Sequence, residues 1–255
     1  MRLSSQLPMA TLCLMPPPRP CWLSANRRSV GEVIDELNAV PIFAIATNGK
    51  LYTTEDGGCM IYTYLEDATK VLSQLQATYP AEQLELEPLS LGTVLSESGL
   101  LAKRERPPKI ALVASPHASR TARELRMQAD RDGVNSTITS AVPARWRPLS
   151  SIPVFHVGLL ETRGTEDGTR EFIWPLFFRT IDIDQMWNEL NGDNAGTERP
   201  PVRVISLAEL VLCLREPEWA PAPPYLCAPL DAVQFVNERD RSAVRSSQVG
   251  EEDIA

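Results

Sequence analysis

Val40-Pro41-Ile42-Phe43-Ala44-Ile45 and, 112 residues later, Ile152-Pro153-Val154-Phe155-His156-Val157 are two versions of one segment. Each opens on a residue-proline step, which holds the chain extended, and continues in branched and aromatic residues that suit a strand. Matches recur downstream in the same order. Glu55-Asp56-Gly57 answers Glu166-Asp167-Gly168. Ala68, Val71, Leu72 and Leu75 behind Asp67 answer Ile183, Met186, Trp187 and Leu190 behind Asp182. Both sets carry the i, i+3, i+4, i+7 spacing of a buried helix stripe after an acidic first turn. Leu89-Ser90-Leu91 answers Ile205-Ser206-Leu207, and Leu112 to Pro116 answers Tyr225 to Pro229 at an offset of 113. Five blocks in one order, at offsets of 111 to 116 residues, read as an internal duplication.

Each unit reads alike. The x-Pro strand is followed by a turn, Asn48-Gly49 in the first unit, and a second strand after Asp56-Gly57 or Asp167-Gly168. Cys59 to Leu65 and Glu171 to Phe178 are the returning strands, and a helix follows each. Next come a short strand (Leu84 to Pro88, Val202 to Ile205) and a short helix, capped by Ser90 or by the Ser206-x-x-Glu209 box. A last strand (Ile110 to Ala114, Tyr225 to Cys227) leads through Pro116 or Pro229 into a last helix. An extra helix precedes the first unit, with the capping box Ser29-x-x-Glu32 and the stripe Val30, Val33, Ile34, Leu37. Pro175 inside a strand pattern predicts an edge or a bulge. The expected fold is α+β, a pseudo-symmetric duplication of a β-hairpin/helix unit whose sheet is covered by helices on one face. Residues 29–130 form the first half and 152–239 the second, with a polar, proline-containing linker at 131–151 and a disordered acidic tail at 240–255.

Composition narrows the function. The chain has 255 residues, 43% hydrophobic and 23% charged, with a formal net charge of −8, and that acidity argues against a general nucleic-acid binder. Its 22 prolines exceed the roughly 13 expected at average usage. The charge is uneven, because Arg2, Arg19, Arg27 and Arg28 make the first 30 residues +4 without an acid, leaving −12 for the rest. An acid-free, serine-bearing, basic segment interrupted by Pro16-Pro17-Pro18-Arg19-Pro20 reads as an organelle transit peptide over residues 1–28. No run of about 18 apolar residues follows to span a bilayer.

Candidate chemistry is sparse. His156 has no carboxylate or cysteine beside it in sequence, and His117 begins a helix. The acidic pairs before Gly57 and Gly168 are accounted for as turns. Cys59, Cys213 and Cys227 form no CxxC, so no metal, cofactor or catalytic residue is predicted. The unusual stretch is Phe172-Ile173-Trp174-Pro175-Leu176-Phe177-Phe178, apolar on both faces of a strand, with a milder version at Met60 to Leu65. If helices cover one face only, the other is a broad apolar surface of the kind that binds something. Phe43, Tyr62, Tyr64, Phe155, Trp174, Leu176, Phe177 and Phe178 are then the candidate client-binding residues. The alternative buries that face against the partner repeat.

The blocks Val40-Pro41-Ile42-Phe43, Leu89-Ser90-Leu91, Ile152-Pro153-Val154-Phe155 and Pro175-Leu176-Phe177-Phe178 before Asp182 resemble the Tic twenty-two-like family, the small intermembrane-space subunit of the plastid inner-envelope translocon. The resemblance runs from about Ser29 to Arg239 and departs at the basic connection Gly133 to Ser151. It implies a chaperone-like protein, soluble or peripheral in the plastid envelope intermembrane space. Its partners would be unfolded preproteins, their transit peptides, and translocon subunits of the outer and inner envelope. It carries over no catalytic residue. Two other readings stand beside it: an enzyme or small-ligand protein using the cleft between halves, with His156 or Glu161 at its edge, and a static scaffold subunit of an envelope complex.

Overall fold

A computed structural model describes residues 27–102, 104–105, 107–133, 141–163, 170–191 and 198–252. The chain builds two sheets. The first unit contributes α1 (Val30–Leu37), β1 (Pro41–Thr47), β2 (Lys50–Leu51), β3 (Cys59–Tyr62), α2 (Leu65–Thr78), β4 (Leu84–Ser90), α3 (Leu91–Glu97), β5 (Ile110–Val113) and α4 (Pro116–Arg131). A 3-10 segment, Ala144–Ser151, opens the second unit. It continues through β6 (Pro153–His156), β7 (Leu160–Arg163), β8 (Arg170–Phe177), α5 (Thr180–Asn191), β9 (Arg203–Ser206), α6 (Leu207–Arg215), β10 (Pro224–Cys227) and α7 (Leu230–Glu252).

The two units share one strand topology. The first sheet runs β4-β1-β3-β5 and the second β9-β6-β8-β10. In each, the first two pairings are antiparallel and the third is parallel. Phe43 opposite Tyr62 matches Phe155 opposite Phe177, and Pro41 opposite Ser90 matches Pro153 opposite Ser206. The excursions differ. In the first unit, Asn48 and Gly49 both take positive φ and fold β2 back onto β1. In the second, β7 pairs with β8 instead.

Pro175 lies in a central strand, not at an edge. The Trp174 N–H donates to the Pro223 carbonyl on the β10 side at 3.0 Å, so by alternation the Pro175 nitrogen faces the other neighbour. There the ladder is broken between β6 and β7 at Val157 to Leu159, around Gly158 with φ of 91°. A missing donor therefore leaves no acceptor stranded.

Both faces of both sheets are covered over most of their area, with Met60 of β3 and Tyr225 of β10 left exposed. The inner faces share one core, in which Ile42, Ala44 and Ile61 of the first sheet and Val154, Trp174, Leu176 and Phe178 of the second meet α1, α3, α6 and the 3-10 segment. Both capping boxes form: Ser29 N–H to Glu32 Oε2 at 2.7 Å before α1, and Ser206 N–H to Glu209 Oε2 at 2.6 Å before α6. Ser90 stands at the α3 N-cap position without a side-chain cap bond. A Cβ on Gly92 would sit 2.2 Å from the Ile34 carbonyl oxygen, so α1 and α3 touch only because that position lacks one.

The outer faces carry the main correction to the sequence-based fold. Phe43, Ile45, Tyr62, Leu84 and Leu86 are covered by α2 and, from the far end of the chain, by Ala232 and Phe235 of α7. Phe155, Val157 and Phe177 are covered by Ile183 of α5 and by Ala118 and Ala122 of α4. The last helix of each unit thus crosses to the other unit's sheet. Helices on one face alone would have exposed these aromatic rows to water, at roughly 1.5–3 kcal/mol for each large side chain.

Three boundaries also move. Arg27 and Arg28, expected in the removable segment, belong to the folded body: the Arg28 N–H donates to the Arg215 carbonyl at 2.9 Å, its guanidinium pairs with Glu36, and Arg27 pairs with Glu216 at 3.1 Å. Part of the expected linker is core, since Trp146 and Leu149 are buried and the indole N–H of Trp146 donates to the Leu100 carbonyl at 2.8 Å. The tail expected to be disordered continues α7 to Glu252.

Candidate functional site

The eight candidate residues separate into three places. Phe43 and Tyr62 lie on the outer face of the first sheet, and Phe155 and Phe177 on the outer face of the second. Trp174, Leu176 and Phe178 point inward to the shared core. Tyr64 stands at the seam, half-buried, its hydroxyl donating to the Phe178 carbonyl; burial pushes that hydroxyl well above the ordinary tyrosine range. The other seven are buried. In this conformation they form no open apolar surface, because α4 and α7 occupy the outer faces and packing between the sheets occupies the inner ones.

Both last helices were expected from the sequence; their crossing to the opposite sheet is what sequence reasoning missed. α4 buries only Ala118 and Ala122, with Leu125 partly covered, on an otherwise polar helix. α7 offers Ala232 and Phe235. Such narrow apolar stripes on polar helices were the available signal, since each stripe needs a partner surface.

α7 is held at three points along its length. At its start, Arg179 bridges the second unit to the helix: Nη1 donates to Asp231 Oδ2 at 2.6 Å, while Nε and Nη2 grip both oxygens of Asp182 at 2.9 and 2.6 Å. One turn on, the ring of Phe235 meets Phe43 edge-on with centroids 5.6 Å apart. Four residues later, Arg239 donates to the Leu86 carbonyl and, at 2.6 Å, to Glu87 Oε2. Leu86 lies on β4, an edge strand, and the neighbouring free carbonyl of Leu84 accepts from Gln76 of α2 at 3.1 Å. Side chains thus occupy backbone acceptors that an open sheet edge would otherwise offer to another chain.

The cleft expected between the halves is filled. Leu91, Leu95, Trp146, Leu207 and Leu210 occupy it, all buried. His156 projects from β6 against the edge of the Trp174 ring, centroids 5.3 Å apart, and its Nδ1 accepts from the Gly158 N–H at 3.2 Å. Burial, and the cation of Arg203 beside it, push its pKa down to about 4. Among the described residues no carboxylate hydrogen-bonds it, so it has no orienting partner of the kind a general base uses. Glu161 lies in β7 opposite Phe172, and its side chain falls outside the described residues. Cys59, Cys213 and Cys227 are free thiols, and burial pushes Cys213 up to about 12 and Cys227 to about 11. Among the described residues no cluster of histidine, cysteine and carboxylates has the makings of a metal site, and no helix is long and apolar enough to cross a membrane.

No family model matches the chain, and no curated protein matches it by sequence. Solved structures do match by fold. Tic22 from Plasmodium falciparum superposes with a TM-score of 0.56 over 82% of this chain and 98% of its own, at 15% identity. Anabaena Tic22, a structure described under protein transport, gives 0.55 over 83% of this chain and 97% of its own, at 13% identity. Two sheets in matching order, an α+β body and near-complete coverage of both comparison chains agree: this chain has the Tic22 fold.

Proposed function

We propose that this chain is a chaperone-like component of preprotein import into plastids, holding unfolded preproteins by apolar contact in the envelope intermembrane space. The observation that carries the reading is the Tic22 fold over nearly the whole of two solved Tic22 chains, one of them described under protein transport. The acid-free first 26 residues support delivery by a transit peptide that ends before Arg27. The acidic body suits clients whose targeting segments are basic, through long-range attraction that weakens with salt. Translocon subunits of the outer and inner envelope are the expected neighbours, and the chain sits peripherally between the membranes.

The first test is location: Met1 to Val30 fused to a fluorescent protein should enter plastids, and a cytosolic signal sinks the import reading. The second is activity. The purified chain should slow aggregation of a chemically unfolded client and crosslink to precursors in transit in intact plastids. A chain that crosslinks to translocon subunits but never to precursors is a scaffold instead.

A further inference from the structure

The seat of α7 has the chemistry of a site for an amphipathic basic helix. Along one face of α7, Ala232 and Phe235 sink into the apolar row of Phe43, Ile45, Tyr62 and Leu86, and Arg239 reaches over the sheet edge to the Leu86 carbonyl and Glu87. An aromatic residue with an arginine four positions on projects from one helix face. The edge that receives it is acidic: β4 carries Glu85 and Glu87, with Glu82 just before it. Beyond the point where Arg239 binds, an open depression of about 390 Å³ continues along the same edge, lined by Asn48, Gln76, Glu82, Gln83, Leu84 and Glu85. A helix carrying further basic residues would find the carboxylates of Glu82 and Glu85 there. α7 belongs to the other unit, reaches this face across the seam, and is joined to β10 by Ala228-Pro229 alone. Its detachment would uncover the face without cutting any strand pairing.

We propose that α7 occupies its own chain's client seat, and that the client element bound there is an amphipathic helix bearing an apolar aromatic residue with an arginine four positions later. This rests on the preprotein-holding function proposed above and gives it a place: the outer face of the first sheet, closed at rest by α7, which shares the aromatic–arginine spacing but carries more acids than arginines, and opened when a basic helix competes. It also explains why Phe43 and Tyr62, apolar enough in sequence to suggest a binding surface, are buried. They face a ligand already present.

The test uses the whole chain and two synthetic peptides, residues 230–252 of this protein and a generic amphipathic helix with Phe and Arg spaced i, i+4, each followed by fluorescence anisotropy. Arg239→Glu removes one hold on α7 and adds repulsion from Glu87, so both peptides should bind roughly fivefold or more tighter than to the unaltered chain. Hydrogen exchange at 232–239 should quicken in parallel. Glu87→Lys also loosens α7, but removes the carboxylate a basic peptide needs, so exchange quickens and affinity does not rise. The double variant Arg239→Glu with Glu87→Lys restores the pair and should return both readings towards the unaltered chain. Unchanged peptide affinity in Arg239→Glu despite faster exchange, or an equal gain in Glu87→Lys, overturns the proposal. Aggregation assays on the same proteins separate the two claims. If the unaltered chain holds unfolded clients while the peptides fail, only the α7 seat is wrong; if it holds none, the preprotein-holding function is wrong too.

Discussion

The two outer faces are built alike and held differently. Each is an aromatic row closed by a helix from its own unit and a helix lent by the other. Over the second sheet, the lent helix α4 rests on two alanines, Ala118 and Ala122. Over the first, α7 adds an aromatic contact and an arginine latch to its own alanine, Ala232. By the strand registers, Val113 corresponds to Cys227, which sets Ala118 against Ala232 and His117 against Asp231. The shared alanine shows what the architecture requires, close approach of a helix to a sheet. Residues that differ between the copies need not serve that geometry, and they concentrate around α7: Asp231, Phe235 and Arg239.

The strongest way to break the comparison is at the elements that open each unit. α1 leads into β1 and the 3-10 segment Ala144–Ser151 leads into β6, both packing on the short helix that follows the fourth strand position. If they are equivalents, Trp146→Ala should cost about 3–5 kcal/mol and Leu37→Ala about 2–5 kcal/mol in urea unfolding. A Trp146→Ala loss under about 1 kcal/mol would make the 3-10 segment a mere connection.

A titration sharpens the contrast between β1 and β6, where Ala44 in one copy answers His156 in the other. The His156 pKa falls to about 4 in the folded chain, below the unfolded value of about 6.5. The unfolded state therefore binds the extra proton first. Stability should be full above about pH 6.5 and decline as pH falls towards 4, by about 3 kcal/mol in total. His156→Phe should remove that part of the slope, as measured by unfolding at several pH values.

Gly92 and Ala208 form the next pair, since Leu91-Gly92 and Leu207-Ala208 open α3 and α6. Gly92→Ala places a Cβ against the Ile34 carbonyl and should cost about 1–3 kcal/mol. Ala208→Gly should cost about 1 kcal/mol, a helix-propensity effect. Equal costs would mean that α1 yields to the methyl. Smallest is the latch at the start of α7: Asp231→Asn should lose about 1 kcal/mol or less, diminishing with salt. His117→Asn, at the exposed corresponding position in α4, should stay within about 0.5 kcal/mol.

The strands and most helices were legible because local chemistry fixed them: x-Pro starts, the Asn48-Gly49 turn, two capping boxes and two helix stripes. Where local chemistry was ambiguous, the reading slipped. Pro116 and Pro229 invite an offset of 113 for the last block, but the ladders give 114, because α4 starts at Pro116 and α7 one residue after Pro229. One residue in a strand exchanges its faces. The segment 144–151 looked like a linker because its spacing, Trp146-x-x-Leu149-x-x-Ile152, has period three, which suits a 3-10 helix and escapes a search at 3.6. The candidate site was half legible. Its residues are apolar and shared between both copies, as the sequence shows, but their cover is a crossing of α4 and α7, and nothing within either helix names the sheet it will reach.

That crossing gives the chain a direction in time. A polypeptide emerging amino-end first completes the strands of its first sheet by Val113, yet the helix that closes that sheet's outer face begins at Leu230. For more than a hundred residues of emergence, the row of Phe43, Ile45 and Tyr62 waits without its final cover, while α4 has already left for a sheet that does not yet exist. The first sheet's outer face can close only when the last helix comes free.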